Sequence, residues 1–289
     1  MNAIIFGADG QDGYYLSELL KENGYAVTGI SPDNTASTAD LTDPVSVENL
    51  IKHLKPHFIF HLAAFSSTHH DLLFRNQAVI VNGSINILEA VRKFSASTKV
   101  FISGSGLQFK NNDQPIKESD PFEARDAYSM SRIQSVYAAR YYRSQDVKAY
   151  VGYFFNHDSP LRTESHMTKK IAEAVKRIAK GNPEKIEIGD LDAIKEYGFA
   201  GDIVKGVLTL ISQDEVMEAM IGTGEGYSIR DWLQACFANT GKDWKEFVVE
   251  KPGFLSPYKQ LVSDPSLINS LGWKPGFSFE QLAQLMMRP

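Results

Sequence analysis

The chain is predicted to fold as an α/β protein, a doubly wound parallel sheet followed by a smaller α/β portion. Three observations predict it. An opening strand runs straight into a glycine-rich turn and a helix. Short β-branched and aromatic runs alternate with helical stretches through the first half. After residue 155 the loops lengthen and grow richer in Pro, Gly and charge.

Taken in order, Ala3-Ile4-Ile5-Phe6 is the first strand, and Gly7-Ala8-Asp9-Gly10-Gln11-Asp12-Gly13 leads from it into a helix that starts near Tyr14. Residues 26–30 form a second strand. Asp43-Pro44 supplies an N-cap with Pro at the first helical position, so a helix runs from there to about Lys55. Strands at 58–61, 99–102 and 149–153 alternate with a long helix ending over 88–94 and another at 128–142. In the second half helices are expected at 168–180, 203–212 and 229–240. Ser228 with Asp231, and Ser278 with Gln281, are capping pairs that start the third of these and a last helix. Residues 251–257 read as a crossing loop rather than a domain linker.

With 289 residues, 43% of them hydrophobic, the chain can bury a large core as one elaborated domain or two joined ones. Thirty Lys and Arg stand against 35 Asp and Glu, a net charge of −5 that argues against a nucleic-acid partner. The single cysteine, Cys236, cannot form an internal disulfide and reads as a buried apolar side chain. The first apolar run is too short and lacks a basic flank, so no signal peptide is expected. Nothing approaches a membrane span, and the expected location is cytoplasmic.

The opening turn carries chemistry. Gly7 permits the turn off the strand, Gly10 lets the backbone approach a ligand, and Gly13 lets the helix pack closely on the sheet. The N–H groups and positive dipole end at the start of the helix favour phosphate. Gly7, Gly10, Gln11, Asp12 and Gly13 are therefore the expected seat of a dinucleotide pyrophosphate, in a Rossmann-type arrangement.

Further motifs follow in a fixed order: Asp40-Leu41, His61-Leu62-Ala63-Ala64, Ser103-Gly104-Ser105 and Tyr128-x-x-x-Arg132. With the glycine turn, this succession resembles the extended short-chain dehydrogenases/reductases. Within them the chain is most similar to GDP-mannose 4,6-dehydratases and GDP-4-keto-6-deoxymannose reductases. The segments that carry this likeness are Gly10-Gln11-Asp12-Gly13, Phe155-Asn156-His157-Asp158-Ser159-Pro160, Gly189-Asp190-Leu191-Asp192-Ala193, Gly224-Glu225-Gly226-Tyr227-Ser228-Ile229-Arg230 and Leu271-Gly272-Trp273-Lys274-Pro275. They span nearly the whole chain.

The resemblance implies an NAD(P)-binding domain over residues 1–154 and a mainly nucleotide-sugar-binding portion over 155–289, with segments returning to the first. It assigns the catalytic roles to Tyr128 as general acid/base, Ser105 as its hydroxyl partner, and Arg132, which stands where the family has lysine. A guanidinium keeps the charge but not the grip of an ammonium. Ser31, Asp40, Leu41, Ala63 and Ala64 join the glycine turn as cofactor residues. The substrate residues are Asn156, Lys170 and Lys195. Three places where the family has a charged side chain are apolar here: Leu107 replaces a glutamate that helps remove the sugar C5 proton, Phe254 replaces an arginine, and Pro257 replaces the glutamate that accompanies it.

Leucine cannot move a proton, so the expected reaction is hydride transfer at C4 of a GDP-linked 4-keto-6-deoxy sugar by a reductase or epimerase. A 4,6-dehydratase and a catalytically inactive binding protein are the alternatives. The cofactor stays open. Ser31-Pro32-Asp33-Asn34 lacks the arginine that favours NADP, whereas the family resemblance favours it. A homodimer is expected, because the connection after the second strand is short and lacks the long arm that the resemblance associates with tetramers. No metal is expected, since Pro56 breaks any common helix for His53, His57 and His61. His69-His70 lies near the expected cleft, and Tyr137, Tyr141 and Tyr142 read as core or interface aromatics.

Overall fold

A computed structural model of the chain describes residues 1–32, 39–254 and 256–288. The first half runs β1 (Asn2–Phe6), α1 (Gln11–Glu22), β2 (Ala26–Ile30), α2 (Pro44–Leu54), β3 (Phe58–His61), α3 (Leu73–Asn76), a π-helical turn Gln77–Asn82, α4 (Gly83–Phe94), β4 (Lys99–Ser105), α5 (Ala127–Arg143) and β5 (Lys148–Phe154). The second half adds β6 (His157–Asp158), α6 (Met167–Ala179), β7 (Ile186–Ile188), β8 (Ile194–Lys195), β9 (Gly198–Phe199), α7 (Ala200–Ile211), β10 (Glu218–Ile221) and β11 (Tyr227–Ser228). It closes with α8 (Ile229–Phe237), β12 (Val248–Glu250), β13 (Gln260–Leu261), α9 (Ser266–Ser270) and α10 (Phe279–Met286).

Six strands form one sheet in the order β10-β5-β4-β3-β1-β2, all parallel. Alternation along the strands divides the core between its two faces. Ile4, Phe6, Ile59, Val100 and Ile102 point to the side covered by α2, α4 and α5. Ala3, Ile5, Phe60, Phe101 and Tyr150 point to the side where Leu16 and Leu20 of α1 meet Ile203 and Val207 of α7. This is the doubly wound arrangement expected from the sequence, and β10 is a segment of the second half that completes the sheet. A third cluster surrounds the fully buried Trp232, which stacks on Tyr197 while α6, α8 and α10 close around it.

The expected caps are present. Asp43 accepts from the N–H groups of Val45 and Ser46, and Ser228 and Ser278 form capping boxes with Asp231 and Gln281. Several boundaries differ from expectation: β4 runs on to Ser105 rather than ending at 102, and the ends of β5, α5 and α6 shift by one residue. α1 begins at Gln11 rather than near Tyr14, because Gln11 and Asp12 are polar yet held by the second half of the chain. α7 begins at Ala200 rather than 203. Its Asp202 is buried and accepts from the N–H groups of Gly276 and Phe277, both at 2.8 Å, so an acid that reads as loop is an interior anchor. α8 stops at Phe237, short of 240.

Cys236 is buried, and burial pushes its thiol pKa up. Tyr142 is buried, whereas Tyr137 and Tyr141 are exposed. Among the described residues no helix is long and apolar enough to cross a membrane.

Candidate active site

The glycine turn leaves β1 with Gly7 at φ +91°, and a Cβ there would lie 2.7 Å from the Ala63 nitrogen. At Gly13 a Cβ would come within 2.2 Å of the Gly7 carbonyl oxygen, so only glycine lets α1 start this close to the strand. A Cβ on Gly10 would meet only that same oxygen, at 3.4 Å, which leaves the turn's outer side open to a ligand. The first-turn N–H groups of α1 have no acceptor within the helix.

At the carboxyl ends of β1 and β2 lies a cavity of about 410 Å³, bordered by Gly7, Ser31, Asp40, Leu41 and Ala63. Five of the ten expected cofactor residues thus converge on one space, whereas Gly10, Gly13 and Ala64 stand outside its wall. Asp33 and Asn34 lie outside the described residues.

Gln11 and Asp12 require a correction, because their side chains do not face that space. The Gln11 amide donates to the His157 carbonyl at 3.2 Å and accepts from the Ser159 hydroxyl at 3.0 Å. Asp12 pairs with His157 Nε2 at 2.9 Å. Burial opposes this pair, yet the His157 charge and hydrogen bond hold the Asp12 carboxyl below its ordinary range, and Asp12 in turn raises His157. What these two residues offer a phosphate is main chain, while their side chains fasten the start of α1 to the second half.

A second cavity, of about 430 Å³, opens at the ends of β4 and β5. Ser105 closes β4, Tyr128 is in the first turn of α5, and Arg132 follows one turn later. All three border this space together with Asn156 and Lys195. The Ser105 N–H donates to Gln108 Oε1 at 2.9 Å, and its Oγ accepts from the Leu107 N–H at 3.2 Å, which fixes the hydroxyl at the strand end.

Arg132 is buried. It donates from Nη1 to the Ser103 carbonyl and, at 2.9 Å, to Ser103 Oγ, and its guanidinium carbon lies 5.1 Å from the centre of the Tyr128 ring. The charge expected beside the phenol is therefore present, but tied to β4 and placed against the ring face. Beneath it, His61 is fully buried, and burial followed by the Arg132 charge lowers its pKa to about 4.

Leu107 borders the same cavity, so the position that is apolar in sequence is apolar at the site. His69 also borders it, whereas His70 does not. Lys170 is not brought to this space. It borders a third cavity, of about 370 Å³, with Gly189, Phe254 and Tyr258. Lys195 borders both, and burial pushes its pKa down against the opposing pull of Asp158.

The sequence reading missed Arg162, His157 and His166, all at the second cavity. Arg162 sits 3.4 Å from the buried Asp158 carboxylate, whose pKa burial raises. His166 falls to about 4 through burial and the Arg162 charge, so it is neutral near pH 7. The signal for Arg162 was its place two residues after Ser159-Pro160, at the end of a segment that carried the family likeness.

Comparisons with known proteins give the family. A family model described as GDP-mannose 4,6 dehydratase matches residues 4–286. GDP-mannose 4,6 dehydratase 2 of Arabidopsis thaliana is 31% identical over 99% of this chain and 85% of its own length. GDP-mannose 4,6-dehydratase of Vibrio cholerae is 29% identical over 99% and 92%. Among solved structures, UDP-glucose 4-epimerase of Thermotoga maritima with UDP-glucose superposes with a TM-score of 0.87 at 21% identity, covering 99% of this chain and 97% of that one. RMD from Pseudomonas aeruginosa, complexed with NADPH, gives 0.84 at 20% identity over 99% and 96%. At such identities the structural likeness shows the shared fold. The sequence match across almost the full length goes further, and the chain belongs to the GDP-mannose 4,6 dehydratase family, a branch of the extended short-chain dehydrogenases/reductases.

Proposed function

We propose that this chain is an NAD(P)-dependent enzyme that exchanges hydride at C4 of a nucleotide-linked sugar, as a reductase of a GDP-linked 4-keto-6-deoxy sugar or as an epimerase of a GDP-linked sugar that carries a C4 hydroxyl. The observation that carries the reading is the second cavity, which Ser105 and Tyr128 both border and where position 107 is leucine. The glycine turn and the cavity beside it fit a dinucleotide: a Cβ on Gly7 or Gly13 would collide with backbone, while the space over Gly10 is open. When bound, the nicotinamide supplies or accepts the hydride.

The chain's own residues do the rest. The Tyr128 phenol gives its proton to the C4 oxygen as that carbon gains hydride, and the Ser105 hydroxyl donates to the same oxygen. Arg132 holds the end of β4 through Ser103 and keeps positive charge at the phenol ring. Asn156 and Lys195 are the residues for the substrate diphosphate, and Lys170 serves the nucleotide end.

Family membership favours a second reading, 4,6-dehydration of GDP-mannose, which needs another group to take the C5 proton. His69 borders the cavity and is the candidate for that step. One experiment separates the two. Supplied with NAD(P)H and GDP-4-keto-6-deoxymannose, a reductase oxidises the cofactor in step with loss of the keto sugar. A dehydratase leaves NAD(P)H untouched and turns GDP-mannose into a 4-keto product carrying solvent deuterium at C5. No turnover in either assay would sink both.

A further inference from the structure

We propose that Asp9 makes this chain select a dinucleotide with a free adenosine 2′-hydroxyl, NAD rather than NADP, an inference that rests on the dinucleotide reading above. Asp9 lies inside the glycine turn, directly before Gly10, and its carboxylate accepts a hydrogen bond from the Ser31 hydroxyl at the end of β2. Ser31 borders the cavity at the ends of β1 and β2. The hydrogen bond thus fixes a negative charge at the rim of the space where the adenosine half of a dinucleotide would lie.

A carboxylate has two oxygens, and a ribose hydroxyl can donate to the one that Ser31 does not use. A 2′-phosphate has no proton to offer near neutral pH and carries close to two negative charges, so the same carboxylate repels it. The described residues bordering the cavity include Asp40 but no Lys, Arg or His. In the sequence no Lys or Arg occurs between Lys21 and Lys52.

The position differs from the usual one. In dinucleotide folds the acid that reads the ribose commonly follows the second strand by about 20 residues from the turn. Here Asp33, twenty residues after Gly13, holds that place and lies outside the described residues, and Asp9 brings a further carboxylate from the turn itself, with Ser31 orienting it. Asp9 is exposed, so replacing it disturbs no core.

The test is calorimetric titration of the full chain with NAD⁺, NADP⁺ and ADP-ribose, at low and high salt, with no sugar present. The expected result is that NAD⁺ and ADP-ribose bind at least about tenfold more tightly than NADP⁺, and that added salt narrows the gap. Asp9→Asn should narrow it at least about fivefold, by weakening NAD⁺ and strengthening NADP⁺. Ser31→Ala should narrow it less, because the charge stays but loses its anchor. Circular dichroism and melting temperature establish that each variant is folded. Equal or tighter binding of NADP⁺, or a ratio that Asp9→Asn does not move, overturns the inference alone. If neither dinucleotide binds, the cofactor reading falls and this inference with it. Selective binding of NAD⁺ without turnover of any sugar upholds the inference and removes only the proposed reaction.

Discussion

Replacing Leu107 by glutamate should install the proton acceptor that a 4,6-dehydration requires. The backbone at this position is pinned, because the Leu107 N–H donates to Ser105 Oγ at 3.2 Å, so the new carboxyl would start from a fixed point on the cavity wall. Leucine and glutamate are close in reach. Leu107 is half-buried against the core face of the sheet, and losing half the burial of a leucine costs about 1 kcal/mol, a melting temperature lower by roughly 2–4 °C. Arg132, Arg162 and Lys195 border the same cavity, against the single carboxylate of Asp12, so the site favours the ionised form of an added acid. A positioned general base contributes about 10²–10⁴ in rate, and the variant should form 4-keto sugar from GDP-mannose faster than the parent by that order. Chromatography of the product and mass spectrometry of deuterium at C5 in heavy water give the readout. A folded Leu107→Glu that binds cofactor but dehydrates no faster than the parent would refute the reasoning, as would a parent that already dehydrates at the variant's rate.

Three other expectations are open to direct measurement. Tyr128→Phe should lower turnover about 10²-fold or more while leaving dinucleotide affinity unchanged, and a smaller loss would place the proton elsewhere. The Asp12–His157 pair has a signed pH dependence: the raised His157 contributes fully below about pH 6.5 and is lost as pH rises through its folded value, whereas the lowered Asp12 contributes above about pH 3.9 and is lost as pH falls through its own. Asp12→Asn should therefore lower the melting temperature most between about pH 4 and 6.5, and a pH-independent loss would contradict it. Glu218, at about 2, accepts from Arg140, Arg143 and Tyr153, and its contribution is present above about pH 4.3 and fades as pH falls towards 2. Glu218→Gln should cost on the order of 3 kcal/mol at neutral pH by denaturant unfolding, and a difference that does not shrink on acidification would count against this account.

Local chemistry was legible in the sequence and distant contacts were not. Asp43-Pro44, Ser228 with Asp231, and Ser278 with Gln281 cap helices through atoms within three residues, so pattern alone locates them. The alternation of Ala3, Ile4, Ile5 and Phe6 likewise assigns each side chain to a face of the sheet. Gln11 and Asp12 misled because their partners, His157 and Ser159, lie about 145 positions away. Asp202 misled for the same reason, since its acceptor atoms are satisfied by Gly276 and Phe277. Ser105, Tyr128, Asn156 and Lys195, which the family resemblance singled out in the sequence, border one cavity. Arg162 and His166 were missed, because what draws them to the cavity is a turn after β6 that no periodicity marks. Arg132 was placed in the right pocket, but its attachment to Ser103 is a property of packing between α5 and β4.

The edge position of Glu218–Ile221 also bears on how the molecule is made on a ribosome. Its pairing with β5 means that a nascent chain ending at residue 154 exposes an open strand edge, with Tyr153 deprived of Glu218 and Phe101 of the Ile221 side chain that faces Gly152. The sheet's last strand is complete some sixty-seven residues later, and until then that edge stays open.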